Sequence, residues 1–204
     1  MKIKALIYTA ISCCVIFSFL PLACHKLIGL LSIMQIKTGI VSYVCAYYAF
    51  LRKRYRFWRV LDHELLHSIA SLMSFKPTHK LHVDHTGGYV EHTGSGSLFI
   101  SLSPYVIWRL PVSVAVFLVC VIQEIMWLKI TLTVFGAALA YAAIAIFEEA
   151  RPHQPDLREY GLLCSYCTIF AANILMIGVF AELIIHQQMG NFLKVGVRHF
   201  INYF

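Results

Sequence analysis

Residues 127–147 read WLKITLTVFGAALAYAAIAIF, an apolar run carrying one charge, Lys129. About 20 such residues, rising 1.5 Å each in a helix, cross the roughly 30 Å hydrocarbon core of a bilayer, so the run reads as a membrane-spanning helix. Comparable stretches flank it at about Ala5 to Ala23, Ile36 to Leu51, Pro104 to Ile122 (with Pro111 as an expected kink) and Leu162 to Ile185. A further helix starts in the basic run 52–59 and continues to about Phe75, where Pro77 ends it. The predicted fold is an all-α polytopic membrane bundle of about six transmembrane helices. Composition agrees: 59% of residues are hydrophobic, 13% are charged and the mean hydropathy is +0.72, whereas a soluble domain carries about 25% charge.

The net charge of +7 suggests a nucleic-acid binder, but its location argues otherwise. The densest cluster, Arg52-Lys53-Arg54-Tyr55-Arg56-Phe57-Trp58-Arg59, sits between two apolar runs. Arginine and lysine there are a topology signal, and Tyr and Trp suit the membrane interface. No nucleic-acid partner is expected. Six crossings with that run cytoplasmic would put both termini in the cytoplasm. The first apolar run is longer than the 7–15 residues of a signal-peptide core and is expected to be retained. The seven cysteines (Cys13, Cys14, Cys24, Cys45, Cys120, Cys164, Cys167) lie mostly in apolar runs, and the CxxC pair Cys164/Cys167 reads as helix packing. No linker divides the chain, so residues 1–204 read as one membrane-embedded domain. Its core covers about 57–186, and its tail, 187–204, suits an interfacial helix.

One segment has a different texture. Lys80 to Asp84 alternates polar and apolar residues, Gly87-Gly88 offers a turn of positive φ, and Tyr89-Val90-Glu91 resumes the alternation. Gly94-Ser95-Gly96 turns again before Ser97 to Leu102. Short runs around glycine pairs predict a small β-hairpin element, of three strands, between the third and fourth helices. His79, His82, His85 and His92 lie in or beside it. They read as a polar hairpin face, with a second metal site as the alternative.

The chemistry-bearing motif is His63-Glu64-Leu65-Leu66-His67, an HExxH. On a helix, residues four apart share a face, so both imidazoles can reach one ion. Glu64 stands one step around and is placed to take a proton from an attacking water as general base. Asp62, His63, Glu64 and His67 crowd an otherwise apolar helix, and ionisable groups at membrane depth mark function. Zinc needs a third protein ligand and an open position. The metzincin extension is absent, with Ala70 and Met73 at its Gly and His places, and the nearest following glutamate, Glu91, falls in the β-element. The best candidate is Asp156, in the proline-broken segment Arg151-Pro152-His153-Gln154-Pro155-Asp156. Glu124, between the fourth and fifth helices, is its rival.

This order of features resembles the site-2 protease family of intramembrane zinc metallopeptidases, in particular its compact bacterial branch. Those proteins carry HExxH in one helix, then a small β-element and a proline-containing helix, then an Asp in a break of the form N-x-x-P-x-x-P-L-D-G. Here the corresponding features are His63 to His67, the Gly87-Gly88 hairpin, Ser103-Pro104-Tyr105, and Pro152-x-x-Pro155-Asp156. The match runs from about Val60 to Leu162, half the chain. Leu157 replaces the family's Gly, and Glu148 stands about where Asn is common.

The resemblance implies a zinc-dependent endopeptidase in a bacterial inner membrane, with the Asp156 break dipping into the bundle to meet a deep HExxH. It would cut membrane-protein substrates in or near a transmembrane segment. His63, His67 and Asp156 would hold Zn2+, and Glu64 would act as base. Free strand edges suggest that Tyr89, Val90 and Glu91 bind an extended substrate. Two other classes remain: a non-catalytic membrane scaffold with a degenerate metal site, and a metal transporter, which would show paired broken helices that are absent here.

Overall fold

A computed structural model describes residues 2–52, 55–84, 87–122 and 124–186. The expected interfacial tail, 187–204, and His85 lie outside the described residues. In chain order the elements are α1 (Lys2–Ser32), α2 (Met34–Ala46), a π-helical turn (Tyr47–Leu51), α3 (Arg56–Met73), β1 (Thr78–Val83) and β2 (Gly88–His92). Then come α4 (Leu98–Leu102), a 3-10 turn (Ser103–Tyr105), α5 (Leu110–Val121), α6 (Ile125–Glu149), α7 (Pro155–Glu159) and α8 (Leu162–His186). Among the described residues three helices, α1, α6 and α8, are long and apolar enough to cross a membrane. The α4 segment and α5, bent by 77° at their junction, make a fourth if taken as one span. This is the architecture of a membrane-embedded helical protein with one small antiparallel sheet.

Helix directions follow from side-chain pairs. The hydroxyls of Ser12 and Thr168 lie 3.2 Å apart, and Lys26 Nζ lies 2.6 Å from Glu182 Oε2. The two pairs have the same sequence separation, so α1 and α8 run parallel and in register. α2 and α6 are also parallel: Tyr43 meets Tyr141 edge-on, and one turn later the Tyr47 hydroxyl donates to Glu148 Oε1 at 2.6 Å. This second pair is joined almost backbone to backbone. A methyl group on Gly39 would collide with the Thr133 carbonyl oxygen, and one on Gly136 with that of Ile36. Small residues at a helix crossing are how membrane helices approach closely when lipid supplies no hydrophobic drive between them. α5 packs on α6 and is joined to it by a short connection, so it runs antiparallel. α1, α5 and α8 therefore leave one end of the bundle and α2 and α6 return to it, with α3, the hairpin, α4 and α7 gathered there.

Four expectations change. α1 continues past Ala23 to Ser32 with Pro21 inside it, since membrane helices re-satisfy the backbone group a proline frees. The break expected at Pro111 lies upstream, between Tyr105 and Leu110, and Pro111 sits in the first turn of α5. A proline there loses no intrahelical hydrogen bond. The sheet has two strands, not three. Ser97 caps a helix instead, its Oγ accepting the Ile100 amide at 3.3 Å, and a short apolar run is ambiguous between strand and helix. Finally, neither Gly87 nor Gly88 has positive φ. Gly88 is already in β2, paired with Val83, and the turn is tied by Asp84, whose Oδ1 accepts the Gly87 amide at 2.9 Å.

The glycine crossing yields a stability prediction. Gly39→Ala or Gly136→Ala forces α2 from α6, and overpacking of this kind costs about 1–3 kcal/mol. Gly87→Ala, with open space around it, should be neutral. Thermal unfolding of the detergent-solubilised variants measures the difference.

Candidate metal centre

α3 carries His63 and His67 on one face, their ring centroids 4.9 Å apart. Asp156, in the first turn of α7, meets both: its Oδ2 lies 3.7 Å from His63 Nε2 and 3.5 Å from His67 Nε2. The donor atoms all fall within 4.8 Å of one another and could hold a metal ion. Ligands on a tetrahedral ion with bonds of about 2.0–2.1 Å stand roughly 3.4 Å apart, so the carboxylate-to-imidazole distances fit. Pro155 opens the α7 turn, and Leu157 is fully buried against Leu102, Tyr105 and Ile169. That packing anchors Asp156 from the next residue, a role glycine could not fill.

The second ring nitrogens fix the tautomers. His67 Nδ1 lies 2.8 Å from the Ile100 carbonyl oxygen. A carbonyl only accepts, so Nδ1 carries a proton and Nε2 is the ring atom that faces Asp156. His63 Nδ1 lies 3.1 Å from Glu149 Oε2, an arrangement that orients metal-binding histidines generally. Asp156 also accepts from the Tyr105 hydroxyl at 3.2 Å. Burial opposes ionisation of Asp156, yet the two imidazoles hold its carboxyl well below the usual carboxylate range.

Behind the ligands runs a buried polar chain. Arg109, with no exposed surface, donates from Nη1 to Asp62 Oδ2 at 2.8 Å and from Nη2 to the Pro104 carbonyl at 2.8 Å. The same Nη2 donates to Glu149 Oε2, the acceptor that faces His63. The Tyr141 hydroxyl donates to Asp62 at 2.8 Å. Arg109, Glu149, Tyr105 and Tyr141 were missed in the sequence. Arg109 could have been flagged, as the one charge of an apolar stretch from Leu98 to Val121.

Glu64 is 7% exposed, and no hydrogen bond from the described residues reaches its carboxylate. With both histidines and Asp156 it lines a cavity of about 340 Å³, walled on the other side by β2. Gly88 lies directly on it: a methyl there would come 2.6 Å from Glu64 Cγ and 2.9 Å from the His82 carbonyl. The glycine is required for this close approach rather than for a turn. A second cavity of about 290 Å³, reaching Arg56 and Arg59, shares His63, Glu64 and Gly88 with the first.

The three proposed substrate residues separate. Along β2, Gly88, Val90 and His92 are half-buried while Tyr89 and Glu91 are exposed, as period-two alternation requires. Tyr89 and Val90 reach the cavity wall, as does His92; Glu91 does not, and lies 3.8 Å from Lys80 Nζ. His79 and His82 are exposed and, among the described residues, form no metal-holding group with His92. Glu124 precedes α6, whose 25 residues span about 37 Å, and Glu149 at the other end holds the site. Glu148 is taken by Tyr47 and Arg59. All seven cysteines are free.

Asp156→Ala leaves two imidazoles. It should lower divalent-metal affinity by more than the roughly 10–100-fold that loss of an outer-shell partner costs. Competition with a chromogenic chelator measures this, and unchanged affinity would exclude Asp156.

No protein-family model matches this chain, and neither does any curated protein or solved structure, so its function is argued from the site alone.

Proposed function

We propose that the chain is a zinc-dependent endopeptidase of the site-2 type, cutting membrane-protein substrates in or beside a transmembrane segment. The observation that carries this reading is the convergence of His63, His67 and Asp156 beside the buried carboxylate of Glu64, on the wall of a polar cavity. Two imidazoles and a carboxylate are a zinc donor set that leaves one position open. Bound there, zinc would polarise the scissile carbonyl and acidify water.

The remaining work falls to the chain's own residues. Glu64 takes the proton of the attacking water and returns it to the leaving amine. Tyr105 and Leu157 hold Asp156; Glu149 and the Ile100 carbonyl hold the imidazoles. The outer edge of β2 receives the substrate as an added strand, its main-chain hydrogen bonds holding an unwound segment without reading its sequence. Of the three residues at that edge, Tyr89 and Val90 line the cavity and Glu91 does not.

The protein lies in a bacterial inner membrane, among lipid and its substrates. α1, α2, α3, the bent α4–α5 pair, α6 and α8 are its six embedded elements. Because α3 and the hairpin stay at the end where α6 returns, α3 enters without emerging opposite. Five traversals then place Lys2 and His186 on opposite sides. The basic run at the site's end marks that end as cytoplasmic.

Glu64→Gln should keep zinc and fold but reduce cleavage of a purified single-span substrate by about 10²–10⁴-fold; activity above roughly a tenth of wild type would exclude Glu64 as the base. Val90→Pro removes a backbone donor from β2. It should slow cleavage of transmembrane substrates with zinc content unchanged. Normal cleavage would show the hairpin to be a surface loop, and loss of zinc would show it to be structural.

A further inference from the structure

The cavity beside the metal centre holds a charge that the proposed chemistry does not use. Glu159 ends α7 three residues after Asp156, so the two carboxylates share a helix face one turn apart. Both line that cavity. The buried Ser101 of α4 donates its hydroxyl to Glu159 Oε2 at 2.6 Å. The carboxylate also lies against Gly96, where a methyl group would come 3.3 Å from Oε1 and 3.8 Å from Oε2. Its place is therefore set by a buried hydroxyl and by bare backbone. Among the described residues no lysine or arginine pairs with it. The other two carboxylates of the wall are committed: Asp156 meets the imidazoles and Tyr105, and Glu64 is the proposed base. A divalent ion at the centre would balance those two, which leaves Glu159 as surplus negative charge.

We infer that Glu159 selects substrates carrying a lysine or arginine beside the bond to be cut. The inference rests on the peptidase reading and adds a substrate class to it. A cationic side chain entering the cavity is attracted to this carboxylate and an acidic one is repelled, so both effects sort substrates in the same direction. Topology supplies such residues. The cavity lies at the bundle end that carries the basic run 52–59, and lysine and arginine gather beside membrane spans on the cytoplasmic side. A span unwound at that end brings them within reach. Ser101 could use Glu159 merely as a brace between α4 and α7. A brace needs only an acceptor, which the amide oxygen of glutamine also offers, whereas selection needs the charge.

Single-span substrates that differ only in the flank at the cytoplasmic end, lysine in one and glutamine in the other, are cleaved in competition in detergent, where orientation plays no part. The expected ratio of kcat/KM favours the lysine substrate by about two- to five-fold, the range of a solvent-accessible ion pair, and shrinks with added salt. Glu159→Gln should bring the ratio to one with zinc content unchanged. Glu159→Lys should favour a glutamate-flanked substrate over the lysine one. A wild-type ratio of one would overturn the inference. So would a ratio that Glu159→Gln leaves in place, which would mark Glu159 as a brace. Should the wild-type chain cleave neither substrate, the peptidase reading fails, and binding of the same substrates decides whether Glu159 selects. Tighter binding of the lysine substrate, lost in Glu159→Gln, would support selection, and equal binding would overturn it.

Discussion

One buried guanidinium sets the geometry of the functional end. Arg109 lies in an apolar interior where an unpaired charge would cost several kcal/mol, so its partners must be supplied from elsewhere in the chain. Asp62 comes from α3, Glu149 from the end of α6, and the Pro104 carbonyl from the bend before α5. Each neighbours a residue of the candidate metal centre: Asp62 precedes His63, Pro104 precedes Tyr105, and Glu149 itself meets His63. Satisfying the arginine therefore brings α3, the bend and α6 into one relation, from which the imidazoles are aimed. Removing it would leave the buried carboxylate of Asp62 without a counter-charge, the kind of loss that costs about 3–5 kcal/mol.

A second constraint works lower in the bundle. Gly39 and Gly136 let α2 and α6 touch backbone to backbone, which delivers the C-terminal end of α6 to the place where Glu148 and Glu149 are used. Gly88 applies the same device at the sheet. It gives up a side chain so that β2 can lie on Glu64, and the two polar cavities meet at that contact. Close approach, in this protein, is where glycine matters to the site.

Local spacing made part of the site legible in the sequence. His63 and His67 share a face because helices repeat every 3.6 residues, and Asp156 stood out as a carboxylate in a proline-broken segment. The long apolar runs likewise announced their helices. What could not be read was long-range: which charges Arg109 would gather, that Leu157 would anchor Asp156, or that α1, α5 and α8 would all leave the same end. The hairpin was half-legible. Alternation in Lys80 to Asp84 marked a strand, but the glycine pair resembled a turn while serving as a contact. Ser97 to Leu102, short and apolar, gave no period to separate strand from helix. Asp156 follows α6, which returns to the end where α3 lies, so the two parts of the site meet there.

In the proposed function His63, His67 and Asp156 together bind zinc and leave a position open for chemistry. X-ray absorption fine structure of the purified protein, loaded with one equivalent of zinc, tests it most directly. The expected result is a four-coordinate ion with only nitrogen and oxygen neighbours at about 2.0–2.1 Å and the multiple-scattering signature of two imidazoles. Sulfur scattering at about 2.3 Å, which would place the ion on cysteine, or failure to retain zinc at all, would contradict it.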